Sequence, residues 1–140
     1  HALQADGWTL RSEIVWVRET ALAQPSVRDR PWTQHETIFL LAKSRRYFFD
    51  RASLPEQSVW HIPHQRGLRG HSAAFPVALP ERCIKASSRP GDMVLDPFGG
   101  AGTTALAAHR WQRNAITIDL NPSYAALARD RLALVGAVAS

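Results

Sequence analysis

The chain has 140 residues, with seventeen Lys and Arg against twelve Asp and Glu and a net charge of +5. This length and composition indicate one globular unit and exclude a disordered or collagen-like chain, while the basic balance favours an anionic partner such as nucleic acid. A single cysteine, Cys83, excludes an internal disulfide framework and a multi-cysteine zinc site, and the lack of a leader pattern or a long apolar run predicts a cytoplasmic protein with no membrane partner.

Two β-rich runs lie in the first third of the chain. Residues 12–17, SEIVWV, and residues 35–44, HETIFLLAKS, are predicted strands. The segment between them is interrupted by prolines and rich in arginine, which is typical of a surface loop. A second irregular stretch, residues 51–73, mixes Arg, His, Gly and one Trp. We expect both stretches to be contact loops.

From Pro80 onwards the sequence alternates helical and strand patterns. PERCIKASS is a predicted helix that RPGD ends, MVLD is a predicted buried strand ending at Asp96, and TTALAAHRW is a second predicted helix. AITID is another predicted buried strand, and a last helix follows it with Asn121 as its cap and Pro122 at its first position. This order predicts a βαβ unit with a parallel sheet, and therefore the α/β fold class.

The stretch VLDPFGGAGTT predicts a ligand site, because a strand that enters a helix through glycines exposes backbone N–H groups at the strand's carboxyl end. Gly100, Gly102 and Ala105 satisfy the looser G-x-G-x-x-A fingerprint of nucleotide sites. Asp119 follows the next strand, where ribose hydroxyls are usually held. The pattern indicates a cofactor that contains a nucleoside.

Asp96 separates the candidate cofactors. No Lys follows the glycines, so a phosphate loop for ATP or GTP is excluded. A carboxylate beside the turn repels a pyrophosphate and attracts an ammonium group, which S-adenosylmethionine carries beside its sulfonium and adenosine. The sequence therefore favours S-adenosylmethionine over NAD or FAD. The alternative is a tight turn in which Asp96 acts only as a cap.

The segment HSAAFPVALPERCIKASSRPGDMVLDPFGGAGTT resembles the adjoining cofactor motifs of bacterial and phage DNA methyltransferases that methylate amino groups, in the permuted class where the cofactor half follows the catalytic half. The resemblance extends from Gly7 to Leu132. It implies a Rossmann-like, S-adenosylmethionine-dependent methyltransferase fold and a modification enzyme acting on adenine N6 or cytosine N4. It also implies cofactor contacts at His71, Ala73, Phe75, Pro76, Asp96, Phe98, Gly100, Gly102, Thr103, Thr104 and Asp119.

One departure from the family pattern concerns catalysis. Members carry a Pro-Pro-Tyr or Pro-Pro-Phe segment that holds the target amino group and stacks on the flipped base, and this chain contains no Pro-Pro dipeptide. We expect the chain to be the C-terminal part of a methyltransferase, incomplete at its N-terminus, with no catalytic residue of its own and no activity alone. The partner would be the missing half or a second subunit that completes the sheet.

Two kinds of side chain in the loops favour DNA contact. Arginines can bind phosphates, and tryptophans can stack on bases, although a solvated surface and core packing are the ordinary alternatives. The predicted DNA-binding residues are Arg18, Arg28, Arg30, Trp32, Trp60, Arg66 and Arg69.

Within one structural domain, the sequence predicts a strand and hairpin part at 1–50, a short recognition loop at 51–73 and a cofactor-binding part at 74–140. We expect no metal site, because the six histidines lack cysteines or carboxylates at ligand spacing. Three other functions stay open: a noncatalytic DNA- or cofactor-binding subunit of a split methyltransferase, a small-molecule methyltransferase, and an NAD-type oxidoreductase.

Overall fold

The computed structural model describes residues 2–18, 27–54, 57–63 and 75–136, which form helices and strands of a mixed α/β protein. Their contacts divide the chain into two units. One comprises His1–Phe48 and Pro55–His64, and the other comprises Phe49–Leu54 and Gln65–Ser140. These boundaries differ from the predicted segments 1–50, 51–73 and 74–140, whose grouping in one structural domain stays a prediction.

The first unit is built on a long antiparallel strand pair. A single helical turn, α1 (Ala2–Ala5), precedes the strands β1 (Thr9–Val17) and β2 (His35–Ala42). The two strands pair from Thr9 opposite Ala42 to Val17 opposite His35, with a register shift between Leu10 and Ser12. Both predicted strands are confirmed, whereas α1 has no capping signal in the sequence and was not predicted.

A third strand was missed by the sequence prediction. Residues Val59–His61 form β3, which pairs parallel to β1 and places Trp60 opposite Trp16. Both rings are 2% exposed, and the Trp16 Nε1–H donates to the carbonyl of Ile62 at 2.9 Å. The loop prediction for this part of 51–73 is therefore wrong, because a three-residue strand is too short to show alternation and depends on its pairing partner for stability.

The burial of Trp60 corrects one predicted DNA contact. A ring that is 2% exposed has no face on which a base could stack, so Trp60 is a packing residue of this sheet. The sequence placed it in a loop only because β3 was not detected.

The second unit contains the predicted alternation of helices and strands. A 3-10 turn at Arg51–Ser53 is followed by α2 (Ala78–Ser87), β4 (Met93–Asp96), α3 (Thr103–Arg110), β5 (Asn114–Thr117) and α4 (Pro122–Ala133). β4 and β5 pair in parallel, from Met93 opposite Asn114 to Asp96 opposite Thr117. The cap of α4 is as predicted, since Asn121 Oδ1 accepts the backbone N–H of Ser123 at 3.0 Å and Pro122 occupies the first turn.

Helices cover the β4–β5 pair only in part within the described residues. Val94 packs against a buried cluster of Ile84, Ala107 and Ala108 from α2 and α3. On the opposite face Leu95 is 60% exposed, and all four residues of β5 are exposed. The prediction of two fully buried strands is therefore wrong for the described part of the chain, because a parallel strand is buried on both sides only when helices cover both faces.

Candidate functional site

The turn between β4 and α3 has the predicted geometry. Asp96 ends the strand, and the helix begins at Thr103 with Gly102 as its cap residue. Gly100 (φ 50°) and Gly102 (φ 74°) both have positive φ angles, which glycine adopts without the steric cost of a side chain. The first N–H groups of α3 have no partner within the helix and lie where the strand ends.

Asp96 serves the turn with one of its carboxylate oxygens. Its Oδ1 accepts the backbone N–H of Phe98 at 3.0 Å. This is the role expected if Asp96 were only a cap of a tight turn. Its Oδ2 has no hydrogen-bond partner among the residues that the structure describes, so one acceptor remains for a ligand. The adjacent Phe98 side chain is 86% exposed, and its ring surface is therefore also available for contact.

Asp119 lies against the glycine turn, as its position after β5 predicts. Its Oδ2 accepts the backbone N–H of Gly100 at 2.8 Å, and its Oδ1 accepts that of Asn121 at 2.8 Å. The carboxylate thus joins the turn to the beginning of α4. Each carboxylate oxygen has two lone pairs, so both oxygens can accept a further hydrogen bond from a hydroxyl group.

The peptide groups of the turn are held unequally. Gly99 O accepts the N–H of Gly102 at 2.8 Å, and the N–H of Gly100 is held by Asp119, so the peptide between Gly99 and Gly100 is fixed at both ends. Within the described ranges, neither Gly100 O nor Ala101 N has a hydrogen-bond partner. The peptide between Gly100 and Ala101 therefore offers one free acceptor and one free donor beside the two carboxylates.

Two glycines of the turn are required for packing inside the protein. A Cβ atom at Gly99 would lie 2.7 Å from Cβ of Thr117 in β5, and one at Gly102 would lie 2.8 Å from Cβ of Ala128 in α4. Gly99 was not singled out from the sequence. Gly102, which was predicted as a cofactor contact, has this packing role as well.

Arg131 is a residue of the turn that the sequence did not reveal. It lies in α4, and its Nη1 donates to Ala101 O and to Thr103 Oγ1. Partial burial, and then the positive charge of Arg110, lowers the pKa of Arg131 from its ordinary value. No sequence signal could have found it, because the contact spans 28 residues between Thr103 and Arg131 and follows only from how α4 packs.

The other predicted cofactor residues show no direct link to the turn or lie outside the described residues, apart from Thr103 and Thr104. Phe75 is exposed and Pro76 is fully buried, and Pro76 O accepts the N–H of Leu79 near the start of α2. In the described ranges no hydrogen bond links either residue to the turn. Thr103 is buried and Thr104 is half-buried at the start of α3. His71 and Ala73 lie outside the described residues.

A groove of about 690 Å³ contains part of this site. Gly99, Gly100 and Asp119 line one end, while Met93 and Asn114 line the other, so the groove follows β5 along its length. Asp96 and Phe98 do not line it. The groove therefore overlaps the predicted cofactor site at the turn and is not identical with it.

The predicted DNA-binding arginines that the structure describes lie in the first unit and differ in their pairing. Arg18 is engaged within the protein, because its Nη1 lies 3.4 Å from Glu36 Oε1 and its Nη2 donates to Thr33 O at 2.8 Å. Arg30 pairs with its neighbour Asp29 at 2.9 Å on the surface. Arg28 is exposed and has no partner among the described residues.

Trp32 is the exposed aromatic of the same region, and 43% of its surface is accessible. Its Nε1–H donates to Val27 O at 3.2 Å, which closes the segment between them into a loop. Arg66 and Arg69 lie outside the described residues.

The described residues hold neither a metal cluster nor a membrane-spanning helix. In the part of the chain that the structure describes, no three His, Cys, Asp or Glu side chains come together as a metal site would require. None of the helices described there has the length and apolar character needed to cross a membrane. Burial raises the pKa of the Cys83 thiol to about 11, so its reactive thiolate form is scarce near neutral pH.

Comparison with known proteins gives a consistent result. A family model described as DNA methylase, of the N6/N4 type, matches residues 1–130. The Type II methyltransferase M.SmaI of Serratia marcescens is 41% identical over 143 residues, which covers 94% of this chain and 49% of that protein. The chain spans about half the length of the curated relatives it matches.

Two solved structures share the architecture. The complex of M1.HpyAVI with SAM has a TM-score of 0.81 at 28% identity, and the match covers 93% of this chain and 65% of that one. The PvuII DNA methyltransferase, which is cytosine-N4-specific, has a TM-score of 0.81 at 25% identity, covering 92% of this chain and 53% of that one.

Proposed function

Because this chain belongs to the N6/N4 family of DNA methylases, we propose that it is the cofactor-binding part of an enzyme that transfers a methyl group from S-adenosylmethionine to an amino group of adenine or cytosine in DNA. The names of its relatives support this proposal, since they include Type II methyltransferases, a complex with SAM and a cytosine-N4-specific enzyme. The fold is the Rossmann-like fold of these methyltransferases. Type II relatives also support a role in restriction and modification.

The observation that carries the proposal is the bond between the Asp119 carboxylate and the Gly100 N–H at 2.8 Å. It brings the residue predicted to hold a ribose onto the turn predicted to hold the rest of the cofactor. These polar groups fit S-adenosylmethionine. The carboxylates of Asp96 and Asp119 can accept hydrogen bonds from an ammonium and from hydroxyl groups, and the free N–H of Ala101 can donate to an acceptor.

When bound, S-adenosylmethionine supplies the methyl group on a sulfonium. The chain's own residues bind and orient it. Asp96 would attract the positively charged methionine end, Asp119 would accept from the ribose hydroxyls, and the exposed ring of Phe98 would cover an apolar face and exclude water. His71, Ala73, Phe75, Pro76, Gly100, Gly102, Thr103 and Thr104 complete the proposed cofactor contacts. Orientation of this kind is a large part of the catalysis of a methyl transfer between two bound reactants.

We also propose that the catalytic segment lies outside these 140 residues, because no Pro-Pro dipeptide occurs among them. The missing half of the enzyme, or a second subunit, would supply the groups that hold the target amine. The described strands form a three-stranded and a two-stranded sheet. This supports the proposal, since the missing half or second subunit would also supply the central strands that the family fold contains. The alternative, a noncatalytic subunit of a split methyltransferase, rests on the same missing dipeptide.

DNA is the proposed partner of the first unit. Arg28 and Trp32 are the best placed of its predicted contacts, because both are exposed, and Arg28 has no partner among the described residues. Arg18 and Arg30 would have to exchange an acidic neighbour for a phosphate. Arg66 and Arg69 stay in the proposal on the sequence alone. An enzyme with this substrate would work in the cytoplasm of a bacterial cell.

Tritiated methyl transfer to DNA tests the function. The 140-residue chain alone should transfer no methyl groups, whereas the chain extended by its upstream coding sequence, or mixed with the complementary half, should transfer them. Nucleoside analysis of the product then distinguishes N6-methyladenine from N4-methylcytosine. Robust turnover by the 140-residue chain would contradict the location of the catalytic segment, and no transfer by the complete protein would contradict the function.

A further inference from the structure

The glycine turn contains one peptide group whose orientation depends on a residue far away in sequence. The peptide between Ala101 and Gly102 is held at its N–H by Gly99 O, 2.8 Å away. Its carbonyl is held by Nη1 of Arg131, which also donates to Thr103 Oγ1. The same nitrogen atom thus bridges the last peptide of the turn and the first residue of α3.

The Arg131 guanidinium is partly withdrawn from water at the start of α3. The dipole of α3 disfavours positive charge there, whereas Arg131 itself stands in the last turn of α4, whose dipole favours a cation. Burial, and then the nearby Arg110, lowers the pKa of Arg131, which still keeps its proton at neutral pH. Burial and Arg110 therefore oppose the cation, and its two acceptors in the turn offset that cost.

The neighbouring packing leaves little freedom on this side of the turn. Ala128 lies one helical turn before Arg131 on the same face of α4, and a Cβ at Gly102 would meet Cβ of Ala128 at 2.8 Å. With Asp119 holding Gly100, the turn is clamped from the α4 side at two peptides. The peptide between Gly100 and Ala101, which has no partner among the described residues, is left free between them.

We propose that Arg131 is a positioning residue of the cofactor turn, which fixes the peptide between Ala101 and Gly102 so that the free Ala101 N–H is presented to the cofactor. The residue itself does not touch the cofactor. This inference rests on the proposed binding of S-adenosylmethionine at the turn and adds to it the residue that orients the donor.

Calorimetric titration of the full chain with S-adenosylmethionine tests this role. R131M keeps most of the apolar stem and removes the donor, so its dissociation constant should rise about threefold to tenfold, because the freed peptide would have to be ordered when the cofactor binds. R131K keeps the charge on a shorter side chain, and its dissociation constant should rise less than that of R131M. R89M, which removes an exposed arginine that does not line the groove, should bind like the wild type.

Amide hydrogen exchange supplies a readout that general destabilisation would not give. The Gly102 amide should exchange about tenfold faster in R131M, while the Leu106 amide, whose N–H donates to Gly102 O at 2.9 Å within the helix start, should change much less. Wild-type affinity and wild-type Gly102 exchange in R131M would overturn the proposal.

Should R131M fail to fold, R131Q, which is shorter and uncharged, replaces it in both measurements. Weaker binding of S-adenosylmethionine together with faster Gly102 exchange supports the proposal, and wild-type affinity in R131Q overturns it. Failure of the wild-type chain to bind S-adenosylmethionine would instead contradict the proposed function, so the two failures are distinguishable.

Discussion

The glycine turn is proposed to bind the cofactor, and the arginine-rich loop Val27–Gln34 is proposed to bind DNA. The two regions differ in how far their polar groups are already paired within the protein. In the turn, five of the six backbone N–H and C=O groups of Gly99, Gly100 and Gly102 are already hydrogen-bonded within the protein, and two of these glycines have no space for a side chain. In the loop, Arg28 and Trp32 are exposed, and Arg30 pairs with its neighbour Asp29 on the surface.

This difference indicates two kinds of recognition. The turn is preorganised, so substitutions there should change both stability and cofactor affinity. The loop keeps its charges at the surface, where a long-range field can attract a polyanion, so substitutions there should change DNA affinity with little effect on folding.

Two tryptophans of the first unit give the largest expected contrast. W60A removes a ring that is 2% exposed and should lower the free energy of unfolding by about 3–5 kcal/mol, whereas W32A, at 43% exposure, should cost about 1 kcal/mol or less. Chemical denaturation followed by circular dichroism measures both. Equal losses for the two variants would show that Trp60 and Trp32 do not differ as packing residues.

Three glycines separate the sources of rigidity in the second unit. G102A combines a positive φ with the contact to Ala128 and should cost about 2–4 kcal/mol of unfolding free energy. G99A introduces only the contact to Thr117 and should cost about 1–3 kcal/mol. G91A is the control for strain alone, since its φ is +87° and nothing lies within 4 Å, and it should cost about 1 kcal/mol. A cost for G91A as large as that for G102A would contradict the packing argument.

Asp119 provides the most direct test of the cofactor role of the turn. D119A removes the acceptor for the ribose and also releases the N–H groups of Gly100 and Asn121. D119A should bind S-adenosylmethionine more weakly by about 1.5–3 kcal/mol, measured by calorimetry. D130A, which removes an exposed carboxylate from α4, is the matched control and should bind normally. Unchanged affinity in D119A would remove this residue from the site.

The loop should show the smallest effect, and it should depend on salt. If Arg28 contacts a phosphate, R28A should reduce the slope of the logarithm of DNA affinity against the logarithm of salt concentration by about one unit. R45A, which removes an exposed arginine outside the loop, is the control. The measurement requires the complete protein bound to duplex DNA, and a salt-independent affinity would favour an ordinary solvated surface.

The sequence predicts best what depends on neighbouring residues. The Asn121–Pro122 cap, the glycine turn and the order of β4, α3, β5 and α4 all follow from short patterns, and the structure confirms them. The position of Asp119 beside the glycine turn is also predictable, because the carboxyl ends of adjacent parallel strands meet at one edge of a sheet.

What the sequence did not reveal depends on distant pairing. β3 is three residues long and depends on pairing with β1, so the sequence pattern predicts a loop at Trp60 where the structure has a strand. Leu95 was expected to be buried, although a strand's sequence does not show whether both faces are covered. Arg131 reaches the turn across 28 residues through the packing of α4, which no local pattern encodes.

The affinity of the chain for S-adenosylmethionine compared with NAD tests the central claim most directly. Both ligands carry an adenosine, but only one presents an ammonium to Asp96, and the other presents a pyrophosphate that the carboxylate repels. Calorimetry of the 140-residue chain should therefore give one bound S-adenosylmethionine, with a dissociation constant at least about tenfold lower than that of NAD. Equal or tighter binding of NAD would contradict the account.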